Sequence, residues 1–235
     1  MSSIKENIDN VKKLLQQAAI KCKRDAHSIK LVAVSKKKSI DSIIEAIKCN
    51  QLCFGENYAQ EFRDKCRDFS EKYHDIIKTN NIEWHFIGYL QQNKVKYVVP
   101  NATWIETIDS IKIAESINNQ SNRTIKSLIE VNLGDENSKS GVITNNLFDL
   151  IEKISKLSNI DLKGLMIIPP YNPNPEKSRP YFKKLKILLN QINEKKIYKN
   201  DLTELSMGMS HDFTVAIEEG ATIIRVGTAI FGERN

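Results

Sequence analysis

The sequence predicts an α/β fold, a TIM (β/α)8 barrel preceded by one extra N-terminal helix. Two observations carry that prediction. Short β-branched or aromatic runs alternate with helical patterns along the 235 residues, and the runs number eight. Strands separated by helices pair in parallel through right-handed crossovers, and eight of them close into a barrel more readily than they form an open sheet. No Gly-x-Gly-x-x-Gly follows any strand and no Walker-type loop occurs, which counts against the open dinucleotide-binding alternative. A barrel of this length forms one unit, so residues 1–235 are expected to make a single domain.

Ser2 to Arg24 reads as an amphipathic helix, with Ile4, Ile8, Val11, Leu15, Ala18 and Cys22 on one stripe and Ser3 with Glu6 matching a capping box. The strand-like runs follow at Leu31–Ser35, Leu52–Gly55, Glu83–Gly88, Trp104–Thr107, Ser127–Leu133, Leu162–Ile168, Glu204–Met207 and Thr222–Val226. Between them, apolar residues recur at helical spacing, as in Ile40, Ile43, Ile44 and Ile47 or Phe182, Leu185, Leu189 and Ile192. The third and seventh intervals, Gln92 to Val99 and Phe213 to Ile217, have room only for short helices. The cluster Pro169-Pro170-Tyr-Asn-Pro173-Asn-Pro175 reads as a rigid loop after strand six.

Composition excludes several classes of function. The net charge of +6 comes from scattered lysines, 28 against 7 arginines, so it reads as a solvated surface and not as a nucleic-acid interface. No stretch approaches the roughly 18 apolar residues of a membrane span, and Met1 to Glu6 lacks the pattern of a signal peptide, so a cytoplasmic location is expected. Cys22, Cys49, Cys53 and Cys66 show no Cys-x-x-Cys spacing and read as free thiols. His27, His74, His85 and His211 are dispersed, which predicts that most are surface or strand-end residues and that there is no metal centre.

The ends of the chain carry the chemistry. In a barrel, reacting groups gather at the C-terminal ends of the strands, and phosphate sits after strands seven and eight. Lys36 ends strand one, Asn57 follows strand two, Met166 lies within strand six, Ser206 and Ser210 bracket the turn after strand seven, and Gly227 and Thr228 follow strand eight. Gly227 lets the backbone approach an anion, to which Ser210 and Thr228 can donate. An amine facing a phosphate cradle suits an aldehyde-bearing, phosphorylated cofactor such as pyridoxal 5'-phosphate (PLP), held on lysine as a Schiff base. Plainer readings stand beside this one: Lys36-Lys37-Lys38 as a solvated helix entry, Asn57 and Asp212 as helix caps, the serines as turn residues, and a sugar-phosphate enzyme as the barrel's function. Arg225 is harder to set aside, because a guanidinium within Ile223-Ile224-Arg225-Val226 must be buried and needs a partner.

Ala33-Val-Ser-Lys36, Phe54-Gly-Glu-Asn-Tyr58, Trp84-His-Phe-Ile-Gly88, Ser206-Met-Gly-Met-Ser210 and Arg225-Val-Gly-Thr-Ala-Ile-Phe-Gly232 together resemble the pyridoxal phosphate homeostasis proteins, the YggS/PROSC family, from about Leu31 to Arg234. The resemblance implies a fold similar to the N-terminal barrel of alanine racemase without that enzyme's second, β-rich domain. It implies Lys36 as the cofactor-linked lysine, Ser210, Gly227 and Thr228 on the phosphate, Asn57 beside the ring, and Arg225 toward the pyridine nitrogen. A monomer that buffers PLP or delivers it to apo PLP enzymes is the implied function, with a small PLP-dependent amino-acid racemase as the alternative. No residue of the sequence marks itself as the second acid or base that a racemase needs. The chain departs from the family pattern at Ser39 and Tyr89, neither of which is an expected cofactor contact.

Overall fold

The computed structural model of the protein describes residues 3–73, 75–76, 80–134 and 140–233. Helix α1 (Ile4–Lys21) opens on the expected capping box, in which the Ser3 hydroxyl accepts from the Glu6 amide and the Glu6 carboxylate accepts from the Ser3 amide. Then β1 (Lys30–Val34), α2 (Ile40–Lys48), β2 (Cys53–Glu56), α3 (Ala59–Lys72) and β3 (Glu83–Phe86) alternate. A single α-turn, α4 (Val95–Val98), leads to β4 (Trp104–Ile108), α5 (Ile111–Gln120) and β5 (Ile125–Asn132). A two-residue strand β6 (Val142–Ile143), which the sequence did not announce, precedes α6 (Thr144–Ile154) and β7 (Ile160–Met166). The chain continues through α7 (Arg179–Glu194), β8 (Glu204–Ser206), α8 (Phe213–Glu218), β9 (Ile223–Val226) and α9 (Thr228–Phe231).

All pairings are parallel, and the order β4-β3-β2-β1-β9-β8-β7-β5 closes through an added β4–β5 pairing. Eight strands therefore form the ring, while β6 hangs on β5 outside it. Each of the eight expected runs overlaps a barrel strand, with ends displaced by up to two residues. The third and seventh intervals do hold only short helices.

Alternation along the strands divides two apolar regions. Leu31 and Ala33, Leu165, Leu205, Ile224 and Val226 join the large core between strands and helices, whereas Val32, Trp104, Leu128, Met166 and Ile223 form a small separate cluster within the ring. The small cluster leaves room in the interior for buried polar groups, among them His85, Glu106, Ser206 and Arg225. Helix α1 buries Ile8, Val11, Leu15, Ala18 and Ala19 in the large core. Among the described residues no helix is long and apolar enough to cross a membrane.

Candidate functional site

A cavity of about 660 Å³ opens at the C-terminal ends of the strands. Lys36, Asn57, Ser210, Arg225, Gly227 and Thr228 all line it, together with Tyr171 and His211. Six of the eight residues singled out from the sequence are thus brought to one wall system. Met166 and Ser206 are not among its lining residues. Met166 ends β7, but its side chain is fully buried in the interior apolar cluster with Val32, Trp104, Leu128 and Ile223, below the cavity lining. Ser206 is fully buried and sits behind Arg225, to which it is hydrogen-bonded. A larger open hollow of about 1220 Å³, bordered by Tyr89, Asp109 and Lys112, is lined by neither Lys36 nor Arg225.

The chain holds Lys36 and Asn57 through the residues just before them. The Ser35 hydroxyl donates to Glu56 at 2.6 Å, and the Lys65 ammonium, from helix α3, donates at 2.7 Å to the Ser35 carbonyl, to Glu56 and to Glu61. Burial raises the Glu56 carboxyl above its ordinary value and Lys65 opposes that rise. This buried pair lies beneath both site residues, and the sequence reading missed it. Its signal was a lysine, Lys65, on the same helix face as Phe62, Cys66 and Phe69.

Two of the plainer readings do not hold, and a third holds in position only. Asn57 does not cap α3, whose N-cap position is Tyr58. Its side-chain oxygen is buried and has no hydrogen-bond partner, a costly state that a bound ligand would relieve. Asp212 does occupy the N-cap position of α8, but its carboxylate makes no cap bond there; it accepts from the Met209 amide at 2.7 Å and the Ser178 hydroxyl at 2.8 Å, and so shapes the turn that carries Ser210. Lys36 faces the cavity, not bulk solvent alone, and Ser39 is the residue that caps α2.

Around Gly227 the backbone forms a small cradle. The Ser210 hydroxyl accepts from the amides of Gly227 and Ala229 at 3.3 and 3.4 Å. A Cβ at position 227 would meet Val34 at 3.3 Å, so glycine keeps strand β1 and the cavity floor close together. Amides converging on one point form a natural anion site, and Ser210 marks that point.

Arg225 finds its partners inside the ring. Its Nη1 donates to the Ser206 hydroxyl at 2.5 Å and its Nη2 to the Ile167 carbonyl at 2.8 Å, with Glu106 at 4.0 Å. Ser206 in turn donates to Glu106 at 2.5 Å, and the second Glu106 oxygen meets His85 Nδ1 at 2.5 Å. Burial pulls the guanidinium below its ordinary pKa, against Glu106, Glu130 and Asp212. Burial also opposes charge on Glu106, but His85 and Arg225 outweigh it and hold this carboxyl below the usual carboxylate range. The expectation that the histidines lie at the surface or at strand ends fails for His85, which is fully buried on the inner face of β3. His74 lies outside the described residues.

The alanine racemase N-terminal domain family matches residues 1–235. A relative from Vibrio alginolyticus, described as a pyridoxal phosphate homeostasis protein, is 43% identical over 100% of this chain and 99% of its own length. The chain belongs to the pyridoxal phosphate homeostasis protein family. Among solved structures, an unknown protein from Bifidobacterium adolescentis superposes with TM-score 0.90 at 34% identity, over 97% of this chain and 94% of that one. PipY of Synechococcus elongatus, solved with PLP bound, superposes with TM-score 0.78 at 31% identity, over 93% of this chain and 100% of that one. The family and the closed eight-stranded ring agree with the barrel that the sequence predicted.

Proposed function

We propose that this chain, as a single domain, binds pyridoxal 5'-phosphate in the cavity at the C-terminal face and serves to hold and release it, with no strong catalysis of its own. The observation that carries the proposal is the meeting of Lys36, Arg225 and the Gly227 cradle on one cavity beside an unpartnered Asn57 oxygen. The donor set suits the cofactor: cationic and amide donors for an anion at one end, a guanidinium at another, and a primary amine between the strand tips. When bound, the cofactor supplies an aldehyde that a lysine amine can capture reversibly.

The roles of the residues follow from their chemistry. Lys36 supplies the amine, held at the end of β1 by the Ser35–Glu56–Lys65 bonds. Gly227, Thr228 and Ser210 bind the phosphate group through backbone and hydroxyl donors, and Asn57 flanks the ring. Arg225 has N–H donors and no acceptor, so it can bond an unprotonated pyridine nitrogen and opposes a proton there. An unprotonated ring withdraws electrons poorly, which favours storage over chemistry at an amino acid's α-carbon. Met166 and Ser206 act from behind, Met166 by packing and Ser206 by holding Arg225. We further propose that the protein works as a cytoplasmic monomer that passes the cofactor to apo PLP enzymes.

The racemase alternative gains one specific observation: Tyr171 and His211, whose rings lie 5.2 Å apart, border the same cavity and are titratable. One experiment separates the two. The protein loaded with PLP is expected to show a near-visible absorbance that Lys36→Ala abolishes, and to transfer cofactor to an apo PLP enzyme. Incubated with single L-amino acids in deuterated water, it is expected to leave the α-proton in place. A colourless protein in excess PLP overturns the binding proposal, and rapid α-deuteration or stereoinversion overturns the carrier reading in favour of a racemase.

A further inference from the structure

At the opposite, N-terminal mouth of the barrel, we infer a binding site for a divalent transition metal of the zinc class, formed by the Cys53 thiol, the Glu83 carboxylate and Nε2 of His85. The three ligand atoms all lie within 4.8 Å of one another. Cys53 Sγ is 3.5 Å from Glu83 Oε2, and that oxygen is 3.7 Å from His85 Nε2. In a tetrahedral zinc site with ordinary bond lengths, neighbouring S, N and O ligands stand roughly 3.3 to 3.6 Å apart. The two Glu83 separations are close to that edge length, and the third, between Cys53 and His85, lies under 4.8 Å.

Two features of His85 point to a ligand independently of the cluster. The imidazole is fully buried and its Nε2 forms no hydrogen bond, the nearest Glu83 oxygen lying 3.7 Å away, so a polar atom is aimed at Cys53 and Glu83 without a close partner. Its other nitrogen, Nδ1, is bonded to the Glu106 carboxylate at 2.5 Å. That carboxylate–histidine arrangement is the one by which metalloproteins orient a ligating imidazole and strengthen its free nitrogen as a donor. The Trp104 ring stacks on the imidazole at 5.3 Å and 9° and fixes its plane.

Access comes from the mouth. A pocket of about 420 Å³ is bordered by Cys53, Lys30, Leu31, Gln51 and Glu204. Lys30 presently pairs with Glu83, and Lys126 stands 4.0 Å from the other Glu83 oxygen, so a metal must compete with ammonium groups for this carboxylate. Lys30 has an alternative in place, because its ammonium already lies 5.0 Å from the centre of the Trp104 ring. Binding releases the thiol proton of Cys53 and any proton on His85 Nε2, leaving a thiolate, a carboxylate and a neutral imidazole on the ion, with the fourth position left to water. The dispersed cysteines and histidines hid this group in the sequence, since its members come from two neighbouring strands, β2 and β3.

The test uses the full chain and Co2+ alone, added anaerobically. One equivalent is expected to give a thiolate-to-cobalt absorption in the near ultraviolet with four-coordinate visible bands, and added Zn2+ is expected to abolish both. Cys53→Ser, which leaves Cys22, Cys49 and Cys66 in place, is expected to remove the thiolate band and to weaken binding at least tenfold, while the metal-free melting temperature changes little. Glu106→Gln is expected to weaken Co2+ binding by about 10- to 100-fold. Lys30→Met, which removes the competitor, is expected to tighten it. Absence of the thiolate band in the parent protein, or its persistence in Cys53→Ser, overturns the site.

Discussion

At the scale of single residues, the candidate site depends on groups whose burial makes them intolerant of change. Arg225 shares the barrel interior with Glu106 through Ser206. Arg225→Leu leaves Glu106 buried without its guanidinium, so unfolding in urea is expected to show a loss of about 3 to 5 kcal/mol. Phosphate holding is more local. Ser210→Ala and Thr228→Ala are each expected to weaken PLP binding by about 1 to 3 kcal/mol, read by equilibrium titration, with little change in stability. Gly88 matters through its missing side chain: a Cβ there would lie 1.9 Å from the Asn57 carbonyl oxygen. Because that neighbour is backbone, Gly88→Ala must displace Asn57, and at least a tenfold loss of PLP affinity is expected in the same titration. An unchanged affinity would remove Asn57 from the site.

At the scale of elements, local sequence explains why each strand tip delivers its residue. Ser39 ends the Lys36 turn by accepting from the Ser42 amide and so starts α2. Helix α3 sends Lys65 back to the tips of β1 and β2, which converts an ordinary amphipathic helix into a clamp on Ser35 and Glu56. Lys65→Met removes one partner of a buried charge pair and is expected to cost about 3 to 5 kcal/mol in urea unfolding. Helix α1 buries Ile8 completely and bonds the last turn through the Asn7 amide, which donates to the Ile230 carbonyl at 2.9 Å. Since α1 packs into the same core as the ring, Ile8→Ala is expected to lower stability of the whole unit by about 2 to 5 kcal/mol in a single transition. A separate early transition for α1 would show instead that it is an appendage.

At the scale of the whole molecule, the barrel interior is a polar chain that joins its two mouths. Glu83, His85, Glu106, Ser206 and Arg225 follow one another from the N-terminal side to the cavity at the C-terminal face. Burial disfavours charge on His85, yet Cys53, Glu106 and Glu83 around it raise its pKa to about 10, so the metal-free chain alternates in charge. Glu106, by contrast, is held below its ordinary value of 4.5. A carboxyl with a lowered folded pKa adds stability that is present above the unfolded value and lost as pH falls through the folded one. Melting temperatures measured downward from pH 5 are therefore expected to fall more steeply for the parent than for Glu106→Gln, and equal slopes would show that Glu106 is not the charged centre of the chain.

The sequence by itself determined the alternation of strands and helices, the ring of eight and the six cavity residues. Periodicity is a local property, and the C-terminal ends of parallel strands are legible wherever the strands are. Even Arg225 announced its need for a partner, because a charge within an apolar strand has nowhere else to go. Tertiary structure alone decided what that partner is, since Ser206 and Glu106 come from strands 100 residues apart in the chain. It also moved Met166 and Ser206 off the cavity wall, placed His85 inside the ring, put Lys65 beneath the site, and gathered Cys53, Glu83 and His85 at the far mouth. These are matters of which strands become neighbours, and spacing along a chain does not encode distance across a closed barrel.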